Sequence, residues 1–282
     1  MIRRLAVIGV GLLGGSVAKA ARAQRIAHEI VGVGRDVSRL QAALSDGAID
    51  HATSDLAEGL RGADFVLLAA PVLAIEELLE RAWEAIPADA IVTDVGSSKS
   101  AIVRKAEALA RRRPVAFVGS HPMAGSEKAG YGVSRADLFH GALVVVTPTD
   151  ASAAGAVKTV TAFWEHLGAR VTTLDPATHD AAVAAISHLP HLVACALVDG
   201  VSRATPEALA VAARGFKDTT RIAAGDPTMW QEIFLTNRPA LVESLAAFRR
   251  ALDDLERLIE QGNPDALHAA LARIKAVRDG LS

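Results

Sequence analysis

The 282-residue chain has one cysteine, few aromatic residues and no excess of either charge. The single cysteine, Cys195, excludes an internal disulfide framework and fits a reducing cytoplasm. The 30 basic and 32 acidic side chains leave a net charge of −2, which argues against a nucleic-acid-binding surface. By contrast, 51% of the residues are hydrophobic, enough for a substantial core and for an oligomer interface.

Two apolar segments look like targeting or membrane sequences, and each has a better explanation. The N-terminal segment carries two arginines and an apolar run, but four glycines interrupt that run. Residues 181–198 contain no Asp, Glu, Lys or Arg and approach the ~18 residues of a membrane span. Because this segment includes Ser187, His188 and His191, we predict a helix buried in a helical domain or a dimer. We expect a cytoplasmic protein without a membrane partner.

The pattern of apolar runs changes about two thirds of the way along the chain. Up to about residue 174, short apolar runs alternate with helical stretches, which predicts βαβ units and a mostly parallel sheet. After Asp175 the pattern predicts helices alone, the last of them capped by Asn263 and opened by Pro264. We therefore predict an α/β fold: a Rossmann-type domain over residues 1–175, then an all-helical dimerisation domain over 176–282. The predicted strands are 4–8, 30–33, 65–69, 91–94, 115–118, 143–146 and 170–174, and the predicted helices include 12–23, 75–85 and 99–112.

A glycine-rich loop follows the first predicted strand and opens the first predicted helix. Gly9 suits a tight turn, Gly11 lets a pyrophosphate approach the backbone, and Gly14 lets helix and strand pack closely. Leu12 and Leu13 begin the helix, whose positive end would face the phosphates. A strand, glycine loop, helix and second strand within about 30 residues predict a dinucleotide-binding site.

The end of the second predicted strand favours NADP over NAD. An NAD site usually has an acidic residue there, whereas this chain has Gly34 at that position and Arg35 next. Arg35 suits a 2′-phosphate, although it is also compatible with a solvated loop arginine before Asp36. We expect NADP as the favoured cofactor and NAD as the alternative.

Further polar segments lie in predicted loops and helices. They are TDVGSSK (93–99), GSHPMAGS (119–126), ISHLPH (186–191), GFKDTTR (215–221) and GDPTMW (225–230). Together with the glycine loop, they resemble the prephenate/arogenate dehydrogenase family of tyrosine biosynthesis, in its stand-alone core (cyclohexadienyl dehydrogenase) form. The resemblance runs over nearly the whole chain. It implies NAD(P)-dependent oxidative decarboxylation of prephenate and/or arogenate to 4-hydroxyphenylpyruvate and/or tyrosine.

The resemblance assigns catalytic roles to two residues of the nucleotide domain. It implies that His121 takes the proton of the ring hydroxyl, and an imidazole of unperturbed pKa ~6.5 suits that role at neutral pH. A strand-end histidine that holds its own loop is the alternative. Ser97 aligns with a serine that hydrogen-bonds the same hydroxyl, which is compatible with a helix N-cap at Ser97 or Ser98. For Lys99 we favour a solvated helix position over a role as an electrostatic helper.

The resemblance also implies substrate-binding residues. Arg221 aligns with an arginine that grips a substrate carboxylate through a bidentate pair, and an ion pair with Asp218 is the alternative. His188 is implied to line the substrate pocket. Trp230 is a candidate to close that pocket, with a core aromatic as the alternative, and Ser126 is a candidate at the pocket mouth.

No metal is expected, because His188 and His191 share a helix face without an accompanying ligand motif. We expect His191 to be a packed, hydrogen-bonded core histidine. The resemblance further implies a homodimer through the helical halves, with a small molecule as substrate. Two other functions stay open: a β-hydroxyacid-type dehydrogenase, which would have a different polar set such as a catalytic lysine in the helical domain, and a non-catalytic NADP-sensing protein. The residues do not decide between prephenate and arogenate.

Overall fold

A parallel sheet forms the first part of the molecule. The computed structural model of the chain describes residues 1–125 and 128–281. Within these ranges six parallel strands pair in the order β3-β2-β1-β4-β5-β6. The chain crosses from one side of β1 to the other between β3 and β4, and a ligand crevice is expected at the carboxyl ends of β1 and β4. The strands are β1 (Ile2–Ile8), β2 (Ala27–Val33), β3 (His51–Thr53), β4 (Phe65–Leu68), β5 (Ile91–Asp94) and β6 (Ala116–Phe117).

Helices cover this sheet on both faces, which explains why its central strands are continuously apolar. All four residues of β4 are at most 1% exposed. The predicted helix 12–23 is confirmed, whereas the short strand β3 was not predicted. The helices are α1 (Leu12–Ala23), α2 (Gln41–Ser45), α3 (Leu56–Leu60), α4 (Val72–Ala82) and α5 (Ser100–Arg112).

A second, three-stranded sheet departs from the prediction. It contains β7 (Gly119–Pro122), β8 (Leu143–Thr147) and β9 (Arg170–Thr173), with β7 antiparallel and β9 parallel to β8. The last two strands were predicted as part of one mostly parallel sheet, and residues 119–122 were predicted as loop. The sequence Gly-Ser-His-Pro has little intrinsic strand propensity, so its pairing with the apolar β8 imposes the extended conformation. Helix α6 (Ala154–His166) connects β8 to β9.

The chain after β9 is helical, as predicted. The Asp175 carboxylate caps the first of these helices through the N–H groups of Ala177 and Thr178. Asn263 caps the last one with Pro264 at its start, which confirms that prediction. The α-helices are α7 (Pro176–Val183), α8 (Leu189–Ala204), α9 (Arg214–Thr220), α10 (Pro227–Thr236), α11 (Arg238–Glu260) and α12 (Pro264–Asp279). A π-helical turn (Ala184–His188) joins α7 to α8, and 3-10 turns (Pro206–Val211 and Arg221–Ala224) flank α9.

The segment from α7 through α8 is long and apolar. Residues Pro176–Ala204 are sufficient in length and composition to cross a membrane, but only 28% of their most apolar 18-residue window is buried within the chain. A single chain therefore leaves most of this segment uncovered, and of the two predicted settings, burial in a dimer stays a prediction. Four of its polar side chains, His179, Asp180, His188 and His191, are nevertheless buried. These four side chains turn inward, toward the sheet and the neighbouring helices.

Candidate active site

The glycine loop leaves space where a phosphate would lie. Gly9 has φ +97°, and a Cβ there would lie 2.3 Å from the carbonyl oxygen of Ala69. A Cβ on Gly14 would lie 2.0 Å from the carbonyl oxygen of Gly9, so both positions require glycine for the fold itself. A Cβ on Gly11 would meet no heavy atom within 4 Å. Because Gly11 is also the N-cap of α1 and has no side chain to cap it, the amides of this first turn, including those of Leu12 and Leu13, suit a pyrophosphate.

The loop after β2 presents arginine rather than a carboxylate. Gly34 follows β2, and Arg35 is exposed beside it. The Asp36 carboxylate accepts hydrogen bonds from the Ser38 N–H at 2.9 Å and the Ser38 hydroxyl at 2.7 Å. These hydrogen bonds lower the pKa of Asp36. The first carboxylate after this strand in the sequence is therefore occupied by its own turn, while Arg35 is exposed.

A buried ion pair joins the end of β5 to the start of α5 and to β7. Lys99 Nζ donates to Asp94 Oδ2 and, at 2.9 Å, to the carbonyl oxygen of Ser120. Lys99 is fully buried, so the prediction of a solvated lysine is wrong. Burial lowers the pKa of Lys99, and the Asp94 carboxylate opposes that shift. Because a buried charge is tolerated only when paired, the two residues fix β7 beside the end of β5.

The cap of α5 comes from the helical half of the molecule. The Asp180 carboxylate, on α7, accepts the N–H of Lys99 at 2.7 Å and that of Ser100 at 2.9 Å. The prediction that Ser97 or Ser98 caps this helix is therefore wrong. Ser98 instead donates from Oγ to Thr236 Oγ1, at 3.0 Å, on α10. Ser97 lies partly exposed in the β5–α5 loop.

His121 heads a line of three side chains that crosses from β7 to α7. Its Nδ1 lies 2.9 Å from His179 Nε2, and His179 Nδ1 lies 2.9 Å from Asp180 Oδ1. Burial, together with the nearby His179, Lys99 and His188, holds the pKa of His121 well below its usual 6.5 despite the opposing Asp180 charge. Burial raises the pKa of Asp180, but hydrogen bonds from His179 and the start of α5 outweigh it and lower that pKa. The arrangement therefore contains a neutral imidazole backed by an ionised carboxylate.

A second histidine is fixed at the end of the π-helical turn. Asn237 Nδ2 donates to the Asp180 carbonyl oxygen at 2.8 Å and lies 3.2 Å from His188 Nδ1. Since the carbonyl accepts, this end of the amide is the NH₂ group and His188 Nδ1 is the acceptor. Burial lowers the pKa of His188 to about 4, so the ring is neutral and carries its proton on Nε2. Neither His179 nor Asn237 was predicted to belong to the site.

Trp230 lies against the helix that carries His191. The two rings stack with centroids 3.5 Å apart and planes 14° apart. His191 is 3% exposed, which confirms its packing, but among the described residues its Nδ1 has no hydrogen-bond partner. The prediction that His191 is hydrogen-bonded is therefore wrong for its Nδ1 atom. A buried nitrogen without a partner is costly, so His191 joins the candidates for ligand contact.

Arg221 opens the 3-10 turn that leads to this stack. A Cβ on Gly225, at the end of that turn, would lie 2.4 Å from Trp230 Nε1 and 3.1 Å from His191 Cε1. Arg221 itself is exposed, and Asp218 pairs with Arg214 at 3.1 Å. Within the described residues the alternative ion pair between Asp218 and Arg221 is therefore not formed. The predicted Ser126 lies outside the described residues.

The glycine loop after β1 and the residues around His121, which adjoin the loop after β5, both lie at the carboxyl ends of the parallel strands. Strand β5 lies two strands from β1, about 10 Å at ordinary strand spacing, so the Asp94–Lys99 loop is within reach of a dinucleotide held at the glycine loop. His121 lies against that loop through the contacts of Lys99 with Ser120. His188 is joined to His179 through Asp180 and Asn237. A neutral base beside a nucleotide site is suited to removing a proton during hydride transfer.

Comparison with known proteins identifies the family. The family model described as "Prephenate dehydrogenase, nucleotide-binding domain" matches residues 17–173, and "Prephenate dehydrogenase, dimerization domain" matches 175–273. Prephenate dehydrogenase of Bacillus subtilis is 33% identical over 277 residues, which cover 97% of this chain and 74% of that protein.

Solved structures match over the whole fold. The structure of A. aeolicus prephenate dehydrogenase in complex with hydroxyphenyl propionate and NAD+ superposes with a TM-score of 0.94 at 35% identity, covering 100% of this chain and 99% of that one. Synechocystis arogenate dehydrogenase superposes with a TM-score of 0.88 at 33% identity, covering 99% and 100%. With both of its parts matched by the family models and its fold shared with these enzymes, the chain belongs to the prephenate dehydrogenase family of oxidoreductases.

Proposed function

We propose that the protein oxidises prephenate or arogenate with a nicotinamide cofactor and releases the ring carboxylate as CO₂. The observation that carries this proposal is His121, a neutral imidazole on β7, whose neighbour Ser120 contacts Lys99 at the end of the β5–α5 loop. The relatives are named for these two substrates. Membership of the family also disfavours a β-hydroxyacid-type enzyme.

The chemistry requires one proton acceptor and firm orientation of the substrate. When bound, the nicotinamide accepts the hydride from the ring carbon that carries the hydroxyl group. His121 takes the hydroxyl proton as the carbon–oxygen double bond forms. Cleavage of the bond to the ring carboxylate then supplies the electron pair that aromatises the ring. The proton held on His121 returns to the oxygen, so the phenol product keeps its hydrogen.

The other site residues orient the substrate in this proposal. Ser97 hydrogen-bonds the reacting hydroxyl from the β5–α5 loop, and Arg221 binds a substrate carboxylate. His188 presents its Nε2–H to the substrate, since Asn237 occupies Nδ1. Trp230 closes the pocket.

An activity assay separates this proposal from the sensor alternative. The purified protein is incubated with prephenate or arogenate and with NAD⁺ or NADP⁺, and reduced nicotinamide is followed at 340 nm. We expect turnover with at least one of the four pairs. Cofactor binding without turnover in any of them would favour the non-catalytic NADP-sensing protein.

We further propose that NADP is the preferred cofactor, because Gly34 stands where an acidic residue would select NAD and the exposed Arg35 follows it. Arg35→Ser is expected to lower the kcat/KM ratio of NADP⁺ to NAD⁺ by about tenfold, the loss of about one charge-assisted contact. The exposed Arg61, which lies between α3 and the start of β4, provides the control Arg61→Ser. An unchanged ratio in Arg35→Ser would show that Arg35 is a solvated loop residue.

We also propose a cytoplasmic homodimer in which a second copy covers the helical domain, residues 176–282. The support is apolar surface exposed in one chain: Ile186 is 68% exposed, Val211 79% and Ile259 66%. Large exposed apolar side chains on one domain favour an interaction surface there. Sedimentation equilibrium is expected to give twice the 29.4 kDa chain mass at micromolar concentration. A Val211→Asp variant is expected to shift this equilibrium toward the monomer, and a monomeric wild type would contradict the proposal.

A further inference from the structure

The pair His179–Asp180 has no part in the function derived so far, yet it touches the proposed base directly. His179 is fully buried and lies between His121 Nδ1 and the Asp180 carboxylate, 2.9 Å from each. Asp180 is held in turn by two backbone N–H groups at the start of α5. The line is therefore rigid at its carboxylate end, and it joins the helical half to β7.

The order of acceptors along this line sets the positions of the protons. A carboxylate only accepts, so His179 Nδ1 carries a hydrogen and donates it to Asp180. In a neutral ring the other nitrogen, His179 Nε2, then carries a lone pair. The hydrogen bond at 2.9 Å requires His121 Nδ1 to donate to that lone pair. His121 Nε2 is left without a hydrogen, as a proton acceptor must be.

We propose that His179 and Asp180 are positioning residues that hold His121 in the tautomer with a bare Nε2 and aim that nitrogen at the substrate hydroxyl. The inference rests on the proposed function for its consequence in catalysis, but the tautomer itself does not depend on turnover. When His121 gains a proton, its Nδ1–H already has an acceptor, so the ring does not need to reorient. A carboxylate that fixes a histidine tautomer serves the same purpose in other enzymes that use a histidine base.

The charged groups near His121 agree with hydrogen bonds that run from His121 through His179 to Asp180. The groups that act on His121 are the cations or potential cations Lys99, His179 and His188 and the carboxylate of Asp180. The Lys99 ammonium is already paired with Asp94, and His188 accepts at Nδ1 from Asn237. Among the described residues, Asp180 is therefore the anion that directs this line.

Two variants at position 179 separate positioning from a structural role. Asparagine is too short to reach His121, whereas glutamine places its amide near the position of Nε2, where its oxygen accepts from His121 Nδ1. We expect His179→Asn to lower kcat by about tenfold or more while KM changes less than threefold, and His179→Gln to recover most of the lost kcat. Position 180 is a poorer test, because its carboxylate also caps α5.

The tautomer is measured on the resting protein by long-range ¹H–¹⁵N correlation of the histidine rings, with His121→Asn assigning the signals. We expect His121 to show a protonated Nδ1 and a bare Nε2, and His179→Asn to show a mixture of both tautomers. A protonated Nε2 in the wild type would overturn the proposal. So would a His179→Asn protein with kcat within twofold of the wild type. If the wild type turns over neither substrate, the proposed function fails, and the nitrogen signals still decide the tautomer.

Discussion

Replacement of His121 by asparagine is expected to lower kcat by about 10²–10⁴-fold, the range attributed to a positioned general base. Asparagine keeps a hydrogen-bonding group near the position of Nδ1 but has no basic nitrogen, so it cannot take the hydroxyl proton. Binding of substrate and cofactor is expected to change little. Steady-state kinetics with prephenate or arogenate, together with cofactor titration, measure the two effects separately.

His166→Asn is the matched control, because His166 is an exposed histidine on α6. It is expected to retain wild-type kinetics. If His121→Asn keeps its turnover while its affinity for substrate collapses, His121 binds the substrate and another group accepts the proton.

The pH dependence of kcat follows from the His121 imidazole. Its pKa is held below 6.5, chiefly by burial, and the base is active when neutral. Activity is therefore expected to persist as the pH falls through 6.5 and to be lost only at more acidic values, when His121 becomes protonated. A kcat profile whose acid limb lies above pH 6.5 would contradict a buried neutral base.

Replacement of Arg221 by alanine is expected to raise KM for the substrate by about 10- to 100-fold, because hydrogen bonds to a charged group contribute about 1.5–3 kcal/mol. Arg221→Lys is expected to fall between wild type and alanine, since lysine keeps the charge but not the bidentate geometry. The kinetics of the two variants with a dicarboxylate substrate provide the measurement.

Arg214→Ala is the control for this position. Arg214 is exposed on the neighbouring helix α9 and pairs with Asp218. We expect its KM to stay within about twofold of the wild type, as is usual for an exposed pair. Equal effects of Arg214→Ala and Arg221→Ala would instead indicate that this turn has a structural role only.

The sequence predicted the fold where the signal is local. The glycine loop lies between a strand and an amphipathic helix, and each requirement is met within about ten residues, so Gly9, Gly11 and Gly14 could be assigned separate tasks. The Asn263–Pro264 cap is similarly local. The strand β3 was missed because His-Ala-Thr is short, and only pairing with β2 makes it extended.

The core of the candidate site depends on contacts between residues far apart in sequence, and these were not predicted. In the sequence, Lys99 has the pattern of a solvated lysine at the start of a helix. Its burial results from contacts with Asp94 and with Ser120 on β7. Asp180 caps a helix that begins 80 residues earlier. One indirect signal for His179 and Asp180 was available in the sequence. They are the last polar pair before the uncharged stretch 181–198, and polar groups that are buried beside such a stretch need hydrogen-bond partners.

The account depends most on one arrangement, in which His121 from β7 and Arg221 from the helical half act on the same substrate molecule. A crystal structure with NADP⁺ and 4-hydroxyphenylpyruvate tests it directly. We expect the phenolic oxygen within about 2.6–3.2 Å of His121 Nε2, next to the nicotinamide ring, and the product carboxylate paired with an arginine at position 221. A product bound with His121 and Arg221 on different surfaces, or away from the glycine loop, would contradict the account.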